Sequence, residues 1–262
     1  MRSEAVITSL QNPLIREWRS LNRSRAERMR QGVFLAEGEH MAGEALHAGR
    51  ASALLIDVEA QEKFAALCSF SSDIPLYYLS GHVMQALCDA KTPQGIIALC
   101  PYPKTDNAPE LGTLLVALDG VQDPGNVGTI LRTMDAAGYH RLLIDEKTAD
   151  VYAPKTLRAS MGSVFRVPAY RCDDLPARLE VLAKDGYEII AGDLRGEPFY
   201  QRRKAREKKC IVIGNEGAGI SPAVLNSATM RLKLPMVGGA ESLNAAVAGA
   251  IMMYDFLRES ME

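Results

Sequence analysis

Apolar residues fall along this chain in short, nearly unbroken runs, separated by stretches with helical spacing. Near the N-terminus, Leu14, Trp18 and Leu21 share one face of a predicted helix, while Arg16, Arg19 and Arg23 share another. The segment "GVFLAEGEHMAGEALHAG" reads as a short strand followed by a helix from about Gly38 to Ala48. The runs "ALLIDV", "LYYL" and "GIIALC" read as strands, with helix-like segments at 60–68 and 80–88 between them. This predicts a small α/β domain over residues 1–100. The stretch "PYPKTDNAPELG", residues 101–112, holds three prolines and reads as a linker. Beyond it, a second domain over 113–262 alternates strands ("TLLVAL", "RLLID", "VFRVP", "YEIIAG", "CIVIG", "RLKLP") with helices near 126–137, 153–160, 173–184, 222–228 and 242–258. Strands this continuously apolar predict a parallel sheet buried on both faces, so the fold class is α/β.

Composition supports that division: 262 residues, 47% of them hydrophobic, can fill two cores. No run approaches the eighteen or so apolar residues of a membrane span, and "MRSEAVITSLQNPL" lacks the apolar centre of a signal peptide, which predicts a soluble, cytoplasmic protein with no membrane partner. Cys68, Cys88, Cys100, Cys172 and Cys210 are odd in number and lack C-x-x-C spacing. They predict buried thiols, with neither a disulfide framework nor a metal site. The net charge of -2 argues against a nucleic-acid partner, but the bases are unevenly placed. Residues 16–30 carry Arg16, Arg19, Arg23, Arg25, Arg28 and Arg30 against Glu17 and Glu27, and "RRKAREKK" at 202–209 carries six bases and one acid. Each run alone is a solvated face; together they keep a nucleic-acid partner open.

Ligands of open parallel sheets bind beyond the carboxyl ends of the strands, so the loops that follow strands carry the chemistry. Three stand out. In "TLLVALDGVQDPGNVGTILRT", Gly120 and Gly125 lack the lysine and hydroxyl of a P-loop, and Gly125 and Gly128 miss the G-x-G-x-x-G spacing, which argues against a nucleoside triphosphate or a dinucleotide. This loop offers Asn126, readable as a helix N-cap, and Arg132 about two turns on. In "CIVIGNEGAGIS", Gly214, Gly217 and Gly219 surround Asn215 and Glu216 after a buried strand, as a close-approach loop would. In "RLKLPMVGGAESLNAAVAGAIMMYDF", Ser242 is placed to cap a helix rich in small residues, with Asn244 in its first turn.

In order and spacing, "DPGNVGTILRT", "IGNEGAGIS" and "LPMVGGAESLNAAVA" resemble the three signature motifs of the SpoU/TrmH family of S-adenosylmethionine-dependent RNA 2'-O-ribose methyltransferases. "FLAEGEHMAGEAL" and "KTPQGIIALC" look like parts of that family's N-terminal RNA-binding domain, similar to ribosomal protein L30e. One departure is "NAAVAGA", where the family more often has valine and serine after the asparagine. The resemblance implies a deep trefoil knot in the C-terminal domain with the cofactor bound in it, and a homodimer with active sites near the subunit interface. It implies a cofactor site at Gly192, Leu194, Gly214, Asn215, Glu216, Gly219, Leu234, Met236, Ser242, Leu243 and Asn244. The catalytic set it implies is Asn126, Arg132, Glu216, Ser242 and Asn244, and Arg16, Arg19, Arg23 and Arg25 would contact RNA.

The sulfonium methyl is already activated, so transfer needs in-line placement and a more nucleophilic ribose oxygen. No histidine is an obvious base: His40, His47 and His82 lie in the first domain, and His140 follows the far end of the first-motif helix. The resemblance gives activation to Arg132. Neutralising a guanidinium costs roughly 9 kcal/mol at neutral pH, so a charged Arg132 stabilising the alkoxide or a neighbouring phosphate is the equal alternative. Glu216 has an alternative role as a structural acceptor for backbone N–H groups. The two-domain layout favours ribosomal over transfer RNA, and a non-catalytic RNA-binding protein on the same scaffold is the reading from a different class.

Overall fold

In the computed structural model, residues 5–70, 73–103 and 111–261 are described. Residues 104–110, most of the expected linker, lie outside them. The chain divides into two compact units, Met1–Lys104 with Tyr152–Phe165, and Thr105–Val151 with Arg166–Glu262.

The first unit runs α1 (Pro13–Arg23), α2 (Arg25–Gln31), β1 (Val33–Glu37), α3 (Glu39–His47), β2 (Ala53–Asp57), α4 (Ala65–Phe70), β3 (Leu76–Leu79), α5 (Gly81–Leu87) and β4 (Ile96–Pro101). Asn12 starts α1 by accepting from the Leu14 N–H at 2.9 Å, with Pro13 in the first turn. Ser24 ends α1 and caps α2, which stops at Gly32 with φ +67°. The sheet order is β1-β4-β2-β3, with only β2 and β3 parallel. Ile15, Trp18 and Leu21 of α1 pack on Leu35, Leu55, Leu79 and Ile97. Leu14, expected on that face, is exposed, and Ile15 takes its place. Both stripes satisfy the helical period, and the contact with the sheet decides between them.

The second unit runs β5 (Leu114–Asp119), α6 (Pro124–Ala136), β6 (Arg141–Ile144), then leaves for α7 (Pro154–Ser160) and returns as β7 (Ala169–Arg171), α8 (Leu175–Lys184), β8 (Glu188–Pro198), β9 (Lys209–Gly214), α9 (Pro222–Ser227), β10 (Met230–Lys233) and α10 (Ala245–Met261). Two sequence expectations change here. The helix at 153–160, expected among those of the second unit, clusters with the first, where Phe34 lies 4.7 Å from the Tyr152 ring and 6.2 Å from Phe165. "VFRVP" is not a strand: Ser163–Phe165 form a 3-10 turn and β7 starts at Ala169. Phe165 is apolar because it meets Phe34, not because it lines the second sheet.

The second sheet is parallel throughout, in the order β10-β8-β9-β5-β6-β7. Leu115, Ala117, Ile189, Ala191, Cys210 and Val212 face α8 and α9. By the period-2 alternation Val116, Leu118, Ile211 and Ile213 face the other way, where α6 and α10 pack. The chain builds outward from β5 in one direction through β6 and β7, and in the other through β9, β8 and β10. The crevice between β5 and β9 is therefore the switch point where such sheets bind ligands. No helix among the described residues is long and apolar enough to cross a membrane.

Candidate active site

The loops after β5 and β9 are tied together across this crevice. Asp119 Oδ2 accepts from the Ser221 N–H at 2.6 Å, and Asn215 donates from Nδ2 to the Gly120 carbonyl at 2.8 Å. Asn215 Oδ1 accepts from Gly217 and Ala218 N–H, which folds the glycine loop into a closed turn. Gly214 is required by that turn, since a Cβ there would sit 2.4 Å from the Gly219 and Ile220 backbone.

Glu216 reaches out of this turn to the first loop. Its carboxylate accepts from the Gln122 N–H at 3.2 Å, the Asp123 N–H at 3.1 Å and Asn126 Nδ2 at 2.9 Å. The structural role foreseen for Glu216 is thus present, but it holds the neighbouring loop and not only its own. Desolvation pushes the Glu216 carboxyl up, and the bonds from Asn126 and from backbone N–H groups outweigh it, leaving the group below the ordinary carboxylate range. Asn126 Oδ1 accepts in turn from Asn244 Nδ2 at 2.9 Å, and Asn244 Oδ1 accepts from Ala246 and Val247 N–H. One hydrogen-bonded chain, Glu216 to Asn126 to Asn244, therefore joins all three loops.

Two expected caps move. Asp123, not Asn126, caps α6, accepting from the Asn126 N–H at 3.0 Å. Asn244, not Ser242, supplies the acceptor at the start of α10. In both cases the residue directly before the helix takes the cap, which frees Asn126 for Glu216 and Ser242 for the cavity beside it.

That cavity, about 510 Å³, opens beside the middle of β8, at Gly192–Arg195, and the carboxyl ends of β9 and β10. This lies within the usual size for small-molecule sites. Gly192, Leu194, Gly214, Asn215, Glu216, Gly219, Leu234, Met236, Ser242 and Leu243 all line it. Asn244, also expected there, does not; it bonds to Asn126 instead. Arg195, Lys233 and Glu241 line it and were missed, and Asp193, inside the expected Gly192–Leu194 stretch but given no role there, lines it too. Arg132 is exposed in the third turn of α6, off the cavity wall, with no hydrogen-bond or ion-pair partner among the described residues.

An S-adenosylmethionine fits these walls. Leu194, Leu234, Leu243 and Met236 supply apolar surface, and the 214–219 turn supplies backbone polar groups. Gly192 and Gly217 add an independent sign: a Cβ would meet nothing closer than Met252 Sδ at 3.5 Å and Asn215 Oδ1 at 3.7 Å. The fold does not need glycine at either position, and both open onto the cavity, as a close ligand requires.

Of the basic stretches, Arg16 and Arg23 are exposed and Arg19 and Arg25 half-buried. In the 202–209 run, Arg202 is enclosed between the Phe199 and Phe256 rings at 4.4 and 4.3 Å and pairs with Asp255 at 2.8 Å. Arg203 pairs with buried Glu188, and Lys209 is buried over Phe256. Half of that run is internal structure. Cys68, Cys100 and Cys210 are buried and none of the five cysteines is in a disulfide; burial pushes the half-buried Cys172 up to about 11.

Comparison with known proteins places these loops in context. Residues 113–254 match the SpoU rRNA Methylase family, and residues 12–98 match the MRM3-like substrate binding domain. The chain is 36% identical over 248 residues to the 23S rRNA (guanosine(2553)-2'-O)-methyltransferase RlmP of Bacillus subtilis, covering 95% of this chain and 97% of the relative. Among solved structures, the SpoU methyltransferase AviRb of Streptomyces viridochromogenes in complex with AdoMet superposes with a TM-score of 0.86 at 28% identity, covering 96% of this chain and 99% of that one. A putative TrmH-family RNA methyltransferase from Porphyromonas gingivalis superposes at 0.84 with 33% identity, covering 95% and 99%.

Proposed function

The chain belongs to the SpoU rRNA methylase family, and from that premise we propose that it is an S-adenosylmethionine-dependent RNA 2'-O-ribose methyltransferase acting on ribosomal RNA. The observation that carries this reading is the Glu216–Asn126–Asn244 chain across the crevice between β5 and β9, set beside a cavity of cofactor size walled by β8, β9 and β10.

When bound, S-adenosylmethionine supplies a methyl group already activated on a sulfonium. The walls at Gly192, Leu194, Gly214–Gly219, Leu234–Met236 and Ser242–Leu243 would hold it. Glu216 fixes Asn126 and the first loop, and Asn126 and Asn244 fix each other, so the amides meet an incoming ribose without reorganising. Arg132 is the residue left to stabilise the developing alkoxide or an adjacent phosphate as a charged guanidinium. Ser242, exposed on the cavity wall, is the remaining polar side chain of the set.

The same reading includes four further parts. The first unit, with its four-stranded sheet between helices, is an L30e-like RNA-binding domain whose Arg16, Arg19, Arg23 and Arg25 contact phosphates. The domains are 1–100 and 113–262 joined by a linker, except that Tyr152–Phe165 clusters with the first. The second unit is knotted: β10 is the edge strand, yet α10, eleven residues later, packs on β9 and α6, so the last segment returns past the loops after β8 and β9. The protein is a cytoplasmic homodimer joined through the second unit, with its active sites near the joint.

The test is methylation of ribosomal and transfer RNA from cells lacking this protein, with ribose methylation mapped by resistance to alkaline cleavage. One methylated ribosomal nucleotide is expected. Methylation confined to transfer RNA overturns the ribosomal assignment, and RNA binding with no transfer favours a non-catalytic RNA-binding protein.

A further inference from the structure

One acidic side chain on the cavity wall is only half satisfied by the chain. Asp193 follows Gly192 on β8, and its side chain is only 11% exposed. Its Oδ1 accepts from the Arg195 N–H at 3.1 Å and lies 3.5 Å from Arg195 Nε. Its Oδ2 has no partner among the described residues. The two other carboxylates on the wall differ: Glu216 uses both oxygens on Gln122, Asp123 and Asn126, and Glu241 is exposed at the rim.

We propose that Asp193 is a specificity-determining residue that accepts hydrogen bonds from the ribose hydroxyls of the cofactor's adenosine. This rests on the S-adenosylmethionine reading above. The open oxygen is reached by solvent from the cavity, so a ligand that displaces that water must bring a donor in its place, because a carboxylate can only accept. The Arg195 N–H fixes the side chain in a tight local turn, so the open oxygen is set before any ligand arrives. Arg195 also balances the charge of Asp193, and Lys233 adds a second cation to the wall. The site therefore calls for neutral donors more than for a cation, and two adjacent hydroxyls provide them. The position is also apt: Asp193 stands two residues past Ala191, where the pairing of β8 with β9 ends, next to a glycine that leaves room for a sugar.

The experiment is calorimetric titration of the full chain with S-adenosylhomocysteine, its 2'-deoxy and 3'-deoxy analogues, and 5'-methylthioadenosine, which keeps the ribose and lacks the amino-acid end. Wild type should lose about 10- to 100-fold in affinity for a deoxy analogue, the range of a hydrogen bond to a charged group. Asp193→Ala should bind the parent more weakly and no longer distinguish it from the deoxy analogues. Asp193→Asn, which keeps an acceptor for the Arg195 N–H and so the turn, should show a reduced factor. Wild type that does not discriminate, or Asp193 variants that discriminate as wild type does, would overturn the proposal. So would a variant that loses only the preference for S-adenosylhomocysteine over 5'-methylthioadenosine, since Asp193 would then serve the amino-acid end. Wild type that binds none of these compounds would remove the cofactor reading itself.

Discussion

Arg132 and Glu216 show how differently two residues of one site can be placed. Glu216 is fixed by three donors from the neighbouring loop, whereas Arg132 stands exposed on α6. A role for Arg132 in transfer depends on the planar fork of its guanidinium, which a lysine ammonium does not reproduce. Arg132→Lys should therefore lower single-turnover methylation by about 10²- to 10³-fold, the range for losing one donor to a developing oxyanion. Cofactor affinity should stay unchanged because Arg132 is off the cavity wall. A near-normal rate would remove it from the chemistry. Glu216 carries a pH signature. Its carboxyl is held below the ordinary range, so its stabilising contribution is complete above the unfolded value of about 4.3 and is lost as pH falls through the lower folded value. The melting-temperature difference between wild type and Glu216→Gln should be constant near neutrality and shrink only below about pH 4. A difference that persists unchanged to pH 3 would show that the carboxylate charge is irrelevant to the network.

Among the elements, the 202–209 run departs most from its sequence. Six bases in eight residues read alone as a solvated face, yet Arg202 sits between Phe199 and Phe256 and bonds Asp255, with Glu259 at 3.6 Å as a longer ion pair. This fastens the segment after β8 onto α10. Arg202→Met fills similar space but leaves largely buried Glu259 without its ion pair and Asp255 with only the exposed Arg258 at 3.4 Å, which should cost about 3 kcal/mol. Denaturant midpoints would measure it, and a loss below about 1 kcal/mol, the scale of an exposed pair, would mean that the clasp is solvated. Legibility followed the same line. The apolar runs located most strands because a strand buried on both faces leaves no other pattern, and glycine spacing located the loop after β9. Residue-level partners were not legible. Whether Asn126 caps its helix or bonds Glu216, or whether Phe165 belongs to a strand or meets Phe34, depends on contacts between residues far apart in sequence. Asp193 lay within the expected Gly192–Leu194 stretch but had no role of its own there, since its open oxygen shows only when β8, β9 and β10 are assembled.

At the scale of the whole molecule, α10 carries an exposed apolar stripe besides its buried face. Ala246, Gly249, Met252, Met253 and Phe256 point inward, and Gly249 lets the helix close on Ile213, where a Cβ would come within 2.4 Å of Cδ1. On the opposite stripe Val247 is 47% exposed, Tyr254 50% and Met261 81%, with Ile251 half-buried between them. Spacings of four, seven and fourteen residues keep these side chains on one line, and exposing such a line to water is unfavourable by about 25 cal/mol per Å² of apolar surface. A second copy meeting it along the same helix would bury the stripe twice over, as a two-fold interface does. Arg132 stands on α6, which packs beside α10, so a joint through this layer puts the active sites close to it. Wild type should then run at twice the 28.5 kDa of one chain by light scattering. Val247→Asp with Tyr254→Asp, both at already exposed positions, should shift it to a single chain with little loss of secondary structure. That variant should also lose methylation while keeping the salt-dependent RNA binding of Arg16, Arg19 and Arg23, since charge on α10 leaves the first unit intact. If the double variant stays dimeric, the joint lies elsewhere. If it is monomeric and fully active, each chain completes its own site, and Arg132 must act within the chain that carries it.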